Sequence, residues 1–154
     1  MRMQLPAYLG LQRHAESTLA ESFRVLADSH AAEADIRDLC GSHAKVCDGH
    51  GAALDELIRT YGQRREHEPE RMRDQGLRRG RGGPVGMLRD LHDVYLLASF
   101  ADITWAMIRQ AAEALPDQKM IEAVSACEQE TSAQLRWLRT RMQVSAPQAL
   151  LAVD

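Results

Sequence analysis

The chain has 154 residues, of which 45% are hydrophobic, 27% charged and 5% aromatic, and its formal net charge is −3. This length suits one domain with its own core. A composition rich in Ala, Leu, Arg, Gln and Glu but poor in aromatics favours helices over sheets. The negative balance argues against nucleic acid or an anionic membrane surface as a partner of the whole molecule.

Three further features bear on where the protein works. No stretch approaches the roughly 18 consecutive apolar residues of a membrane span. The first ten residues, MRMQLPAYLG, lack the apolar core and the small-residue cleavage site of a secretory signal. The three cysteines are an odd number for a secreted disulfide scaffold. We therefore expect a cytoplasmic protein with reduced thiols and no membrane partner.

Four helices are predicted, and the first runs from about residue 6 to residue 30. Pro6 suits an early helical position, where its missing N–H costs no hydrogen bond. One face of this helix carries side chains spaced three and four residues apart, namely Leu9, Gln12, Glu16, Leu19, Phe23, Leu26 and His30. A lone carboxylate on such a face costs several kcal/mol unless it is paired, protonated or bound to a metal. Glu16 is therefore a candidate site residue.

The second helix is predicted over about 35–61, with Asp35 as its N-cap and Gly62 as its C-terminal stop. One face of this helix carries Cys40, His43, Cys47, His50, Leu54, Leu57 and Tyr61. The first half of the face is cysteine and histidine, which indicates a polar or metal-binding site. We expect His43 to be a hydrogen-bonded core histidine rather than a ligand.

A link rich in Gly and Arg, 62–86, follows the second helix, and seven arginines against four acidic residues leave it three charges positive. We expect a solvated crossover here, because acids interrupt the basic run and no aromatic residue is interleaved for base stacking. The third helix is predicted over about 85–114 and the fourth over 117–143, with Asp117 as N-cap. The tail 145–154 is expected to be irregular and to dock its leucines on the bundle or on a partner.

The connection lengths predict how the helices are arranged. The first and second helices have almost no linker between them, and neither do the third and fourth, so each pair should form an antiparallel hairpin. A weak internal repeat agrees, since CDGHGAALDELIRT and CEQETSAQLRWLRT align Cys47 with Cys127. The chain is therefore predicted to be a single all-α domain over 1–154, a four-helix bundle of two hairpins joined by a long crossover.

This arrangement resembles the ferritin-like superfamily of di-metal carboxylate proteins. Through LRDLHDVYLLASF and CEQETSAQLRWLRTRM the chain is similar in particular to the small ferritin-like proteins of bacterial stress responses. The resemblance implies a ferritin-like bundle with a transition metal, iron or zinc, as cofactor. In that family helices one and three each supply a Glu, and helices two and four each supply a Glu-x-x-His motif. Positions three apart share a helical face, so each motif offers two ligands to the same ions.

The family pattern maps onto this chain only in part. Carried over position by position, the candidate metal ligands are Glu16 on helix one, Cys47 and His50 on helix two, Asp102 on helix three, and Cys127 and Glu130 on helix four. Hairpin geometry places Asp102 level with Glu130, whereas the internal repeat favours Asp93. Both cysteines stand where the family has its bridging carboxylates, which argues against an oxygen-activating di-iron centre.

Three interpretations of Cys47 and Cys127 stay open. The first is a pair of inert core thiols, which is the commonest fate of buried cysteine. The second has both thiols join His50 and a carboxylate around one Zn²⁺-like ion. The third is a disulfide. Gln134, one turn beyond Glu130, either orients a ligand or satisfies a buried backbone group, and we favour the second role.

The leading functional hypothesis is a ferritin-like bundle whose buried polar cluster binds a metal ion, with no reaction assignable. The alternative is a non-enzymatic, metal-free oligomerising or interaction bundle that has lost the di-metal site. No catalytic residue is predicted, because the sequence has neither a Ser/His/Asp order nor a nucleophile-elbow motif. A homodimer is expected, with Trp105 and Trp137 as candidate interface anchors or core residues.

Overall fold

The computed structural model describes residues 3–62 and 76–153 and is helical within them, with no strand in either range. The four helices are α1 (Leu5–Ser29), α2 (Ala34–Tyr61), α3 (Gly83–Ala114) and α4 (Gln118–Leu151). Within these two ranges the predicted all-α class is confirmed, and all four predicted helices are present. Most of the Arg-rich link, 63–75, lies outside the described residues, so the prediction of a solvated crossover stays a prediction.

The ends of the helices follow local sequence signals at three of four predicted positions. Pro6 lies in the first turn of α1. Gly62 ends α2 with a φ of 89°, a conformation that L side chains rarely adopt. Asp117 caps α4 by accepting a hydrogen bond from the Met120 amide at 3.1 Å. The prediction for Asp35 was wrong, because α2 begins one residue earlier and Asp35 lies inside its first turn.

The prediction of an irregular tail was also wrong. Helix α4 continues through Pro147 to Leu151, although proline removes one hydrogen bond from the helix interior. The reason is that Ser145 and Ala149 extend the inward face of α4 at a spacing of four, and both are buried. The two leucines at the end, Leu150 and Leu151, are exposed rather than docked on the bundle.

Two apolar clusters fill the interior on either side of a polar layer. The first cluster surrounds Phe23 and Leu26 near the α1–α2 turn. The second surrounds Leu9, Leu54 and Trp105 towards the other end of these helices. All seven predicted inward residues of α1 are buried, which confirms the face predicted from their spacing. The polar residues of α1 that lie between the clusters are therefore positioned in the middle of the bundle.

The helices pack in two close pairs, α1 on α2 and α3 on α4, and α1 also packs on α3. The described end of the link also contacts α1. The buried Leu77 donates its backbone N–H to the Ser22 hydroxyl at 2.9 Å. Across the described ranges, no helix combines the length and the apolar character that a membrane crossing requires.

Candidate site at the centre of the bundle

Glu16 is the centre of the polar layer, and its side chain is fully shielded from solvent. Its Oε1 accepts a hydrogen bond from the Trp105 indole at 2.9 Å and lies 3.1 Å from His50 Nδ1. The second carboxylate oxygen, Oε2, is buried and has no hydrogen-bond partner. One half of this carboxylate is thus well satisfied and the other half is not, which is costly unless something else occupies the space.

His50 joins three helices through its two ring nitrogens. Nδ1 faces Glu16 on α1, and Nε2 lies 3.3 Å from Glu130 Oε1 on α4. Burial by itself lowers the pKa of His50, but the two carboxylates outweigh it, so this pKa is raised above the ordinary value. A protonated imidazole can donate to both acids at once. The ring of Trp105 also meets the His50 ring edge-on, with centroids 5.8 Å apart.

The cysteines beside this centre are buried thiols. Cys40, Cys47 and Cys127 are all free, so the structure contains no disulfide between them. Burial, reinforced by the negative charge of Glu16, raises the pKa of Cys47 far above its usual range. The same two causes raise the pKa of Cys127 to about 12. Both groups are therefore protonated at neutral pH, and a thiol is neither a nucleophile nor a metal ligand until its proton is lost.

Glu130 lies at the edge of this polar layer, where its side chain is 51% exposed. Asp102 does not join it. The sequence left open whether Asp93 or Asp102 faces the core, and Asp102 is only partly buried, with Glu128 as the charge that affects its pKa. The physical reason is helical spacing: Ala101 and Trp105 occupy the buried face of α3, and a residue one position after Ala101 is turned by about 100°.

Asp93, the other candidate from helix three, lies elsewhere as well. It accepts a hydrogen bond from Arg81 at 2.8 Å, and its side chain is 36% exposed. The α3 residue that meets Glu16 is the indole of Trp105, which the sequence indicated only as a core or interface residue. A tryptophan N–H needs a partner when it is buried, and the buried carboxylate of Glu16 on the neighbouring helix α1 is a suitable acceptor.

Two predictions about neutral polar residues can be compared with the structure. Gln134 donates to the partly buried His43 carbonyl at 3.3 Å and to Cys47 Sγ at 3.5 Å, so it contacts both a backbone group and a candidate ligand. His43 itself lies between the rings of Phe23 and Trp137, and its Nε2 is buried without a hydrogen bond. The expected hydrogen bond of this histidine side chain is thus absent at Nε2, and burial lowers its pKa.

A metal centre requires several of these donors to converge on one point. Among the residues that the structure describes, no group of three or more His, Cys, Asp and Glu side chains is arranged to hold an ion. Glu16 and Glu130 meet opposite nitrogens of His50, so an ion placed at either nitrogen would have one of these acids and not the other. The donor set therefore does not fit a shared ion without movement of side chains.

A second buried acid was missed by sequence reasoning. Asp90 on α3 is fully shielded from solvent and accepts three hydrogen bonds, from His30 Nε2, from the Arg81 amide and from the Arg81 guanidinium. The signal was present, because His30 belongs to the predicted inward face of α1. Asp90 in turn lies four residues before buried Val94 on α3.

Comparison with family models, with curated proteins and with solved structures found no match for this chain. Membership of the ferritin-like superfamily therefore stays a prediction, which depends on the quoted motifs and on the arrangement of the helices.

Proposed function

We propose that this protein is a ferritin-like four-helix bundle whose metal-ligand positions form a metal-free hydrogen-bond network, and that it acts by associating with another protein chain rather than by catalysing a reaction. The observation that carries this proposal is the engagement of both His50 nitrogens by carboxylates. The carboxylates and the imidazole that a metal would need are bonded to one another.

The ferritin-like topology is supported by the order of contacts between helices. Arg13 pairs with Asp55 and Arg24 with Asp48, so partners on α2 descend as residues on α1 ascend, as in an antiparallel hairpin. Tyr61 at the end of α2 donates to Asp117 beside the α3–α4 turn.

The start of α3 lies at the opposite end, because Asp90 bonds to His30 beside the α1–α2 turn. The end of α2 and the start of α3 therefore lie at opposite ends of the bundle, an arrangement that the long crossover of ferritin-like folds connects.

The role proposed for the central network is to hold helix register. It ties α1, α2, α3 and α4 together through Glu16, His50, Trp105 and Glu130. Buried polar contacts of this kind stabilise one alignment of the helices. In any other alignment a buried charge would be left unpaired, which raises the free energy of that arrangement. These residues therefore have a structural role, and the activity of the protein lies on its surface.

Elemental analysis of the full chain, purified without chelator and without a metal-affinity tag, tests the metal-free state. We expect less than about 0.1 iron or zinc per chain, as only two strong donors share any one point. Glu16→Gln and Cys47→Ala should change the free energy of unfolding without removing any metal-dependent signal. About one metal per chain, lost in Glu16→Gln, would overturn the proposal.

A second candidate function, binding of one transition-metal ion, is favoured by a single observation. Glu16 Oε2 is buried without a partner, and the carboxylate lies near the Cys47 thiol, whose pKa it raises. Two atoms bound to one tetrahedral Zn²⁺ at about 2.0–2.2 Å lie about 3.4 Å apart, so Glu16 Oε1 and His50 Nδ1, which are 3.1 Å apart, would need to separate only slightly. In this alternative Cys47 would supply a third ligand after losing its proton.

Titration of the apo protein with Zn²⁺ and Fe²⁺, followed by isothermal calorimetry, separates the two candidates. The metal-free proposal expects no saturable binding above that of the Glu16→Gln variant at pH 7. Binding that saturates at one ion per chain, releases protons and disappears in Cys47→Ser supports the alternative, because ligand thiols must deprotonate. The cytoplasmic localisation stays a prediction, separate from either candidate.

A further inference from the structure

Helix α3 is apolar around most of its circumference. Residues 94–108 include one charged residue, Asp102. The buried face of this segment packs inside the bundle through residues such as Leu97, Ala101 and Trp105. A helix that is apolar all round is normally buried all round, yet the opposite face of α3 is open to solvent.

The open face carries a continuous row of large apolar side chains, which we call the α3 stripe: Leu96, Phe100, Ile103 and Met107. Leu96 and Ile103 are each 56% exposed and Met107 is 45% exposed, while Phe100 is partly buried. Steps of four, three and four residues place all four side chains on one line along the helix. A contiguous exposed apolar row of this kind indicates a contact surface.

We propose that the α3 stripe is the contact surface for a second copy of this chain, in a two-fold symmetric dimer whose two α3 helices run antiparallel. This inference deepens the proposed function by naming the partner, and it rests on that proposal. The spacing of the stripe is the first argument for this occupant. The steps between its members, of four, three and four residues, are the same when read from either end. An antiparallel copy therefore pairs Leu96 with Met107 and Phe100 with Ile103. Every residue of the stripe then has an apolar partner.

Charge complementarity is the second argument for a second copy. Arg89 continues the line of the stripe towards the start of α3, is exposed, and makes no ion pair with a described residue. The other end is acidic, since Glu113 and Glu128 share the single guanidinium of Arg109. The two-fold pairing that matches Leu96 with Met107 brings Arg89 of each copy within about one helical turn of Glu113 of the other. Unlike charges therefore meet at both ends.

The apolar surface extends sideways from the stripe onto α1. Tyr8 is 41% exposed and borders a shallow apolar groove that it shares with Leu5, Met107 and Ile108. The contact area of each copy is thus wider than one helix, as a stable dimer interface requires. Trp105 and Trp137 are not part of it: the first is fully buried and the second is packed against the core.

Sedimentation equilibrium of the full chain across about 1–100 µM tests the dimer. We expect the native protein to show twice the monomer mass of 17.2 kDa. Ile103→Glu should raise the dissociation constant by on the order of a hundred-fold, because it buries two charges at the centre of the contact. The matched control is Val144→Glu, at an exposed apolar position of α4 outside the stripe, which should leave the mass unchanged. Circular dichroism verifies that both variants are folded.

Charge reversal distinguishes the proposed arrangement from any other use of the stripe. Arg89→Glu and Glu113→Arg should each weaken the dimer by about five-fold, and the double variant should recover it. A native protein that is monomeric at every concentration overturns the dimer, and so does an Ile103→Glu variant that still dimerises. A double variant weaker than both single variants overturns the antiparallel pairing. None of these results depends on metal content, so the metal analysis can fail or succeed independently.

Discussion

Two buried acid–histidine pairs lie in this bundle, one at its centre and one near its end, and they are built differently. The central Glu16 has one oxygen shared by His50 and Trp105 and one oxygen without a partner. The peripheral Asp90 has both oxygens engaged by three donors from His30 and Arg81. The same two chemical groups therefore form an incomplete network in one place and a complete one in the other.

The difference shows how burial and satisfaction separate two roles. Asp90 fastens the start of α3, the end of the link and the end of α1 to one another, and nothing remains for a ligand to bind. Glu16 keeps a buried oxygen without a partner, which offsets part of the stability that its other oxygen contributes. The complete network is therefore expected to fasten its helices mainly through stability, and the incomplete one mainly through the helix register that it favours.

The largest effect is expected at the complete pair. Asp90→Asn should lower the free energy of unfolding by about 3 kcal/mol, because it removes a buried charge that three donors were positioned to meet. Urea denaturation followed by circular dichroism measures this loss. Asp93→Asn is the matched control, since it bonds to the same Arg81 but is partly exposed, and it should lose less than about 1 kcal/mol. Equal losses in the two variants would contradict the assigned importance of Asp90.

A smaller effect is expected at the incomplete pair. Glu16→Gln should lower the free energy of unfolding by about 1–2 kcal/mol, because the amide oxygen can still accept from Trp105 while the ion pair with His50 is lost. The orphaned oxygen of the native carboxylate is also removed, which offsets part of the loss. The same urea experiment applies, and a loss greater than that of Asp90→Asn would reverse the comparison between the two pairs.

The pH dependence of stability should also reveal the central pair. The pKa of His50 is raised in the folded protein, so its contribution is complete below the ordinary histidine value of about 6.5 and is lost as pH rises through the folded value. His43 has the opposite sign, because its pKa is lowered and its neutral form is favoured; its contribution is lost as pH falls below about 6.5. Unfolding midpoints measured between pH 5 and 9 give the sum of the His50 and His43 contributions.

His50→Gln and His43→Phe separate these two terms. Loss of His50 should remove the fall in stability above pH 6.5, and loss of His43 should remove the fall below it. A His50→Gln variant that keeps the native decline towards alkaline pH would show that another group is responsible.

The smallest effect is expected from His43→Phe itself at pH 7, where the free energy of unfolding should change by less than about 1 kcal/mol and can increase. The substitution keeps an aromatic ring between Phe23 and Trp137 and removes a buried nitrogen that has no hydrogen bond. His43→Ala is the control that removes the ring as well, and it should be clearly less stable. If His43→Phe were as damaging as His43→Ala, the unsatisfied nitrogen would have a partner in solution.

Helical spacing was enough to predict the inward faces on which Glu16 and His50 lie. It did not decide between Asp93 and Asp102, although nine residues at about 100° each place them on opposite sides of α3, because hairpin geometry favoured one acid and the internal repeat the other. Asp90 was missed because its two partners, His30 and Arg81, come from two segments far from it in sequence or outside any helix. The tail was mispredicted as irregular, because the burial of Ser145 and Ala149 against the bundle, which keeps α4 helical through Pro147, is a tertiary contact.

Each tryptophan of this protein lies against a histidine, so its intrinsic fluorescence can report the charge of that histidine. The Trp105 ring meets His50 and the Trp137 ring meets His43, and the two imidazoles have pKa values shifted in opposite directions. Because a protonated imidazole quenches a neighbouring indole more strongly than a neutral one, each tryptophan emits according to the charge of its own neighbour. With Trp137 replaced by Phe, the remaining emission would report whether the central histidine is charged, in dilute solution and without any added label.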